Sequence, residues 1–221
     1  MTKSTLRMGL RLAGLFTIPL FLLGCETTYY KTMEKFGYHK RDLMVERVEE
    51  ARDAQKEAKE QFESALEKFS HVVKFEGGEL EEKYKKLKAE HEKSESKAEA
   101  VRDRIEAVED VAEDLFDEWQ DELNQYTNQS LRRSSERKLK QTRQQYSQLL
   151  RAMKRVEKKI DPVLSAFRDQ VLYLKHNLNA RAISSLRNEL VSVEADVASL
   201  VKEMEASIAE ANTFIKAIEK E

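Results

Sequence analysis

A single cysteine, Cys25, stands among the 221 residues, at the end of the string Leu22-Leu23-Gly24-Cys25. One thiol excludes an intrachain disulfide. A lone cysteine is usually a small core hydrophobe, but position 25 lies outside any plausible core. The four histidines, His39, His71, His91 and His176, pair with no other histidine, cysteine or carboxylate at a recognisable ligand spacing, so no metal site is expected. Asp110, Glu113, Asp114, Asp117 and Glu118 run together beside Trp119, as solvated helix faces commonly do. Nothing sets a carboxylate in an apolar pocket that would raise its pKa, so no general acid/base pair is argued. No Ser-His-Asp arrangement stands out. No catalytic residue, no cofactor and no enzymatic activity are expected. The densest polar cluster holds Arg168, Asp169, Tyr173, Lys175, His176, Asn177, Asn179 and Arg181. It is a candidate site for a partner or a small ligand. The competing reading is a helix-end network of caps and ion pairs.

The elements that position these residues begin with the apolar run 8–23. Lys3 and Arg7 precede it, Arg11 lies inside it, and no acid appears before Glu26. A basic start, a short apolar middle and a small residue before the cut mark a secretory signal peptide. A spanning helix needs ~20 apolar residues, and this run is shorter and interrupted by Arg11, Gly14 and Pro19. The Leu-Leu-Gly-Cys ending resembles the lipobox of bacterial lipoproteins. That resemblance implies a diacylglycerol on the Cys25 sulfur, cleavage between Gly24 and Cys25, and acylation of the new N-terminus. Two or more chains hold a protein firmly to a membrane, where one is marginal. Glu26 follows the cysteine where many lipoproteins retained in the inner membrane carry Asp, so the same resemblance favours the outer membrane.

The sequence thus divides into a cleaved signal peptide (1–24), a lipidated tether (25–39) and one helical domain (40–221). Tyr29, Tyr30, Phe36 and Tyr38 in the tether suit either a lipid interface or the base of the domain. Removing residues 1–24 takes Lys3, Arg7 and Arg11 from the 39 basic residues and none of the 41 acidic ones, leaving a formal net charge of −5. The signs read as interspersed, which argues against a nucleic-acid surface. Charged residues make up 36% of the chain, with six Gly and two Pro. Such a composition points to long helices or coiled coil.

Hydrophobic spacing supplies the helices. The first runs from about residue 41 to 75, with Val45, Val48, Gln55, Phe62, Leu66, Phe69 and Val73 near one stripe and Ala51, Ala58 and Ala65 between them. Gly77-Gly78 ends it. The second, about 79–126, holds a 4-3 heptad from Leu80 through Leu87, His91, Ser94, Ala98, Val101 and Ile105 to Trp119. His91 reads as a polar group that sets register. Residues 124–130 form a polar turn, with Asn128 or Ser130 capping the next helix. That helix carries Leu139 to Phe167 in 3-4 steps and includes Pro162. The surviving heptad phase favours a kink, and a break with Asp161 as N-cap is the alternative. Residues 175–181 mark a third turn with Asn179 as cap, or else one continuous helix. The last stripe is Ile183, Leu186, Leu190, Val193, Val197, Leu200, Met204, Ile208, Ala211, Ile215 and Ile218. The fold expected is all-α: an elongated antiparallel bundle or coiled coil of about four long helices.

Across nearly its whole length the chain resembles the DUF2959 family of bacterial proteins. The matching features are the lipobox, the Tyr-Tyr-Lys and Glu-Lys-Phe-Gly strings within 29–37, Phe-Glu-Gly-Gly-Glu-Leu at 75–80, and the block from Pro162-Val163-Leu164 to 169–180. The resemblance brings no assigned activity. Members are sometimes called DNA-repair ATPases, but this sequence has no Gly-x-x-x-x-Gly-Lys-Ser/Thr phosphate loop, and export separates it from ATP and DNA. The function expected is that of an envelope lipoprotein, lipid-anchored on the periplasmic side through Cys25. It would act as a structural or protein-interaction scaffold, with partner contact or self-association through its helical faces and no nucleic acid or metal. The alternative is a periplasmic module that binds or senses a small ligand at 162–181. A cavity lined by Phe167, Tyr173 and His176 would favour it. The basic stretch 132–140, interrupted by Glu136, reads as plain helix surface or as a contact for anionic headgroups.

Overall fold

Neither glycine nor proline interrupts the segments 40–74, 80–122 and 180–219, so nothing in them opposes helix propagation. A computed structural model of the protein describes residues 40–74, 79–177 and 180–220, and every structural statement below concerns those residues. They fall within one unit, Tyr38–Glu221. It is built of α1 (Lys40–Lys74), α2 (Leu80–Glu122), α3 (Gln129–His176) and α4 (Ala180–Glu219). Consecutive helices pack on one another, and α1 closes the ring against α4. Across the diagonal, Phe62 of α1 stacks on Phe167 of α3 with ring centroids 6.3 Å apart. The up-down-up-down, all-α bundle expected from short connections is the fold observed.

The seam is a nearly unbroken heptad. In α1, Met44, Val48, Ala51, Gln55, Ala58, Phe62, Ala65 and Phe69 are all buried. The expected stripe is corrected here: Val45 and Leu66 are half-buried on the shoulders, while the alanines form the seam itself. Their small side chains let neighbouring helices approach closely. In α4 the seam takes Ser207 and Phe214 alongside Met204 and Ala211, and Ile208 is left half-buried. In α2, Val101, Ile105 and Val108 are fully buried, whereas Leu80, Tyr84 and Trp119 at the helix ends are only half-buried.

The turns follow local chemistry. Asn128 caps α3, its Oδ1 accepting from the backbone N–H groups of Ser130 (2.9 Å) and Leu131 (3.2 Å). Pro162 lies inside α3, which runs through it, with Ile160 and Val163 fully buried on either side. The break capped by Asp161 does not form, and Asp161 instead accepts from Arg102 of α2 at 2.6 Å. Helix α3 stops at His176. Asn177 donates from its backbone to the Leu174 carbonyl (3.2 Å) and from its side chain to the Tyr173 carbonyl (3.0 Å). Because α4 then packs back along α3, the continuous-helix alternative is not what forms. Asn179 as a cap falls outside the described residues, as do the glycine pair and the tether.

The two ends of the bundle differ. At one, Lys40 bonds Glu118 (3.1 Å) and the Asp114 carbonyl (3.5 Å) of α2, and Arg41 donates to the Ile218 carbonyl of α4 (2.9 Å). Helices α2 and α3 continue past this level as a hairpin. Counting along the helices from the Arg155–Glu203 ion pair, Glu219 of α4 comes level with about residue 139 of α3. Trp119 donates from Nε1 to Ser135 Oγ at 2.8 Å and ties the hairpin together. At the other end, Arg187 of α4 donates to the Val73 carbonyl (3.3 Å). The turn 124–130 and the start of α1 are therefore at the same end, and the α3–α4 turn is at the opposite one.

Candidate functional site

The cluster singled out at 168–181 separates onto different faces of α3, because consecutive helical residues point about 100° apart. Asp169, Gln170 and Tyr173 line a groove of about 490 Å³ between α3 and α4, opposite Ser185, Glu189 and Ser192. Arg168 lines a larger groove, about 920 Å³, between α2 and α3. The Arg168–Asp169 pair is wide, 3.9 Å, and exposed, so it contributes little. Lys175 and His176 are exposed in the last turn of α3, where a cation suits the helix dipole. Asn177 is the C-cap. Asn179 and the side chain of Arg181 lie outside the described residues, as do Gly24 and Cys25. Phe167 belongs to the core, Tyr173 to the groove and His176 to the surface. These three do not line a common cavity.

The α2–α3 groove is strongly acidic, with Glu95, Glu99, Asp103 and Glu106 along α2. Lys154 spans it to Glu109 at 2.7 Å and also meets Glu157 at 3.1 Å. At its floor His91 is buried, with Nδ1 3.4 Å from Glu95 Oε2. Its Nε2 is buried without a partner and, like the unpartnered Gln170 Oε1, belongs to a residue bordering a small void behind Phe69 and Phe167. His91 is thus the polar seam residue its heptad position suggests.

Two features add to the residues the sequence singled out. The first is Glu90, buried between α1 and α2, which accepts from Lys68 (2.7 Å), Gln61 (3.0 Å) and Lys93 (3.3 Å). Burial works against its charge, but hydrogen bonds from Lys68, Gln61 and Lys93 offset it and hold the carboxyl below its usual range. Its place directly before a heptad residue in a charge-rich stretch was the only available signal. The second is the sorting of charge by helix. From 105 to 122, α2 carries nine acids and no base, and from 129 to 160, α3 carries eleven bases and two acids. The interspersed pattern of the whole chain therefore does not hold at this end.

Tyr146 packs edge-on against Phe116, 5.4 Å between centroids, and burial pushes its hydroxyl up to about 12, with Glu109, Glu113 and Asp110 adding to the rise. Such a phenol stays protonated near neutral pH. Among the described residues no three His, Cys, Asp or Glu side chains are grouped to hold a metal ion, and no helix is long and apolar enough to cross a membrane. The arrangement offers grooves, a projecting hairpin and paired charges, all suited to surface contact.

No curated protein matches the chain. The four-helix unit does coincide with the span of a family model: the family described as "Protein of unknown function (DUF2959)" matches residues 29–218, and the chain belongs to that family.

Proposed function

We propose that this protein is a lipid-anchored envelope scaffold, held by acyl chains on Cys25 and presenting the far end of its bundle to a protein partner. One observation carries the reading: the first described residue, Lys40, is fixed beside Glu118 at one end, and, besides Tyr126 and Leu131 at the hairpin turn, three exposed large apolar side chains gather toward the other. These are Leu172, Tyr173 and Val191, the last 73% exposed. With helices of 35 to 48 residues, the bundle sets that end about 50–70 Å from its start. The α3–α4 groove beside Tyr173 gives a partner a recess, and the same faces suit self-association. The lipobox resemblance supports cleavage at Gly24-Cys25 and the periplasmic side, and Glu26 favours the outer membrane. No enzymatic activity is part of this reading.

A second reading has one observation in its favour. The α3–α4 groove gathers Asp169, Tyr173, Glu189 and Ser192 in a volume adequate for a small polar ligand. In-cell crosslinking separates the two. With photoreactive groups at Tyr173 and His176, a partner protein should be captured, and Cys25→Ser should abolish capture. No protein capture, or capture indifferent to Cys25→Ser, would remove the tethered-scaffold reading and favour the ligand groove.

A further inference from the structure

The hairpin turn at 124–130 shares its end of the bundle with the start of α1. Only fourteen residues, 26–39, separate Cys25 from Lys40, and fully extended they reach at most about 50 Å. A bilayer holding Cys25 is therefore within range of that turn. Its surface fits such a neighbour. Arg132, Arg133, Arg137, Lys138 and Lys140 are all exposed, and none has an ion pair among the described residues. Glu136 is the one acid between 123 and 140. Asp121 and Glu122 close α2 behind the turn, so bases still outnumber acids five to three over 121–140. Arg133, Arg137 and Lys140 follow i, i+4, i+7 spacing and form one cationic stripe. At the apex Leu131 is 57% exposed and Tyr126 38%, an apolar group and an amphipathic ring of the kind that settles at headgroup level.

Helix energetics do not explain these cations. The first turn of α3 contains no acid, and Arg132 and Arg133 follow it closely, where the positive end of the dipole disfavours them. An anionic surface outside the helix would offset that cost. We propose that the α2–α3 hairpin tip docks on a membrane surface bearing anionic headgroups, with Leu131 and Tyr126 at the interface and the basic stripe on the phosphates. The bundle is then held at two points, the acylated Cys25 and the tip. This orientation rests on the lipid-anchored reading, although binding of the tip to anionic lipid is measurable without it.

The test uses the full acylated chain on vesicles of phosphatidylcholine, with or without phosphatidylglycerol. Acylation of Cys25 leaves a Gln125→Cys substitution as the sole thiol for an environment-sensitive fluorophore. A blue shift on anionic vesicles only, lost in high salt as surface charges are screened, is the expected result. The double variant Arg132→Glu, Arg133→Glu should lower hairpin contact at least about tenfold while melting no lower than the parent, since acids suit that helix end. No shift on anionic vesicles, an equal shift on neutral ones, or an undiminished shift in the double variant would overturn the proposal. A shift on neutral vesicles that grows with protein concentration would assign the tip to a second copy instead. Failure of the chain to stay on neutral vesicles would refute the anchor, while contact on anionic vesicles would still report on the tip.

Discussion

At Gln55 both side-chain amide atoms are buried without a partner among the described residues, and the residue is 0% exposed. Ser207 of α4 is equally buried and its hydroxyl is also unpartnered. The two are near the same level, between the Arg52–Asn212 and Lys59–Glu205 contacts of α1 with α4. An unsatisfied buried polar group costs about 1–3 kcal/mol. Gln55→Met, similar in volume, should therefore raise stability by at least ~1 kcal/mol in a denaturant titration. A loss of that size would mean that the amide is satisfied in solution. A buried polar seam residue can restrict register and oligomer state at such a cost, so the variant should also be checked for new oligomers by light scattering. Glu90 differs because it is fully engaged. Its folded pKa lies below the usual 4.5, so its contribution is complete above that unfolded value and disappears as pH falls through the lower folded value. Glu90→Gln should cost about 1–3 kcal/mol at neutral pH and flatten the acid limb of the stability curve below pH ~4.5. An acid limb unchanged in the variant would assign the proton uptake to other carboxylates.

Among the elements, α3 carries the clearest local conflict. A proline inside a helix removes one backbone hydrogen bond and crowds the preceding turn, at about 3 kcal/mol. Yet α3 keeps its seam through Pro162, which is itself exposed. Burial of Ile160 and Val163 against the other helices outweighs the local penalty. Pro162→Ala should raise the melting temperature by several degrees, equivalent to up to ~3 kcal/mol. A decrease would show that the proline geometry is needed for the packing of α3. The cap at Asn128 and the cap at Asn177 delimit the same helix; Asn128 was legible as a polar residue before a periodic run, whereas at the other end the sequence pointed to Asn179 and not to Asn177.

For the molecule as a whole, stability should be graded along the bundle. Where four helices overlap, Val101, Ile105, Val108 and Val156 are fully buried. Past the level of Lys40, the hairpin has only α2 against α3 among the described helices, and Leu123 is the one buried residue between 120 and 138. Local opening is easiest where apolar contacts are few. Native-state hydrogen exchange should therefore show slow amides at 98–112 and 149–163, and fast ones at 119–138. Uniform protection out to the turn would contradict this gradient. A tip that opens readily also suits a surface that adapts to a bilayer.

The sequence by itself determined the helical segments and most turns, but left open whether 175–181 turns and whether α3 breaks at Pro162. Breaker-free stretches, heptad spacing and the Asn128 cap act within a few residues and require no knowledge of distant neighbours. It also pointed to His91 as a seam residue and to an all-α antiparallel bundle. What it left open was the finer phase: a heptad gives the seam's direction to within about one residue, and so did not separate Ala65 from Leu66 or Ser207 from Ile208. Packing against both flanking helices decided those positions. Tertiary structure also split Arg168 from Asp169, since adjacent residues on α3 face different neighbours. Only the assembled bundle set the acidic half of α2 against the basic half of α3 and brought the 124–130 turn to the end where α1 begins. Those relations depend on the register between helices, which long-range contacts such as Lys40–Glu118 and Arg187–Val73 establish.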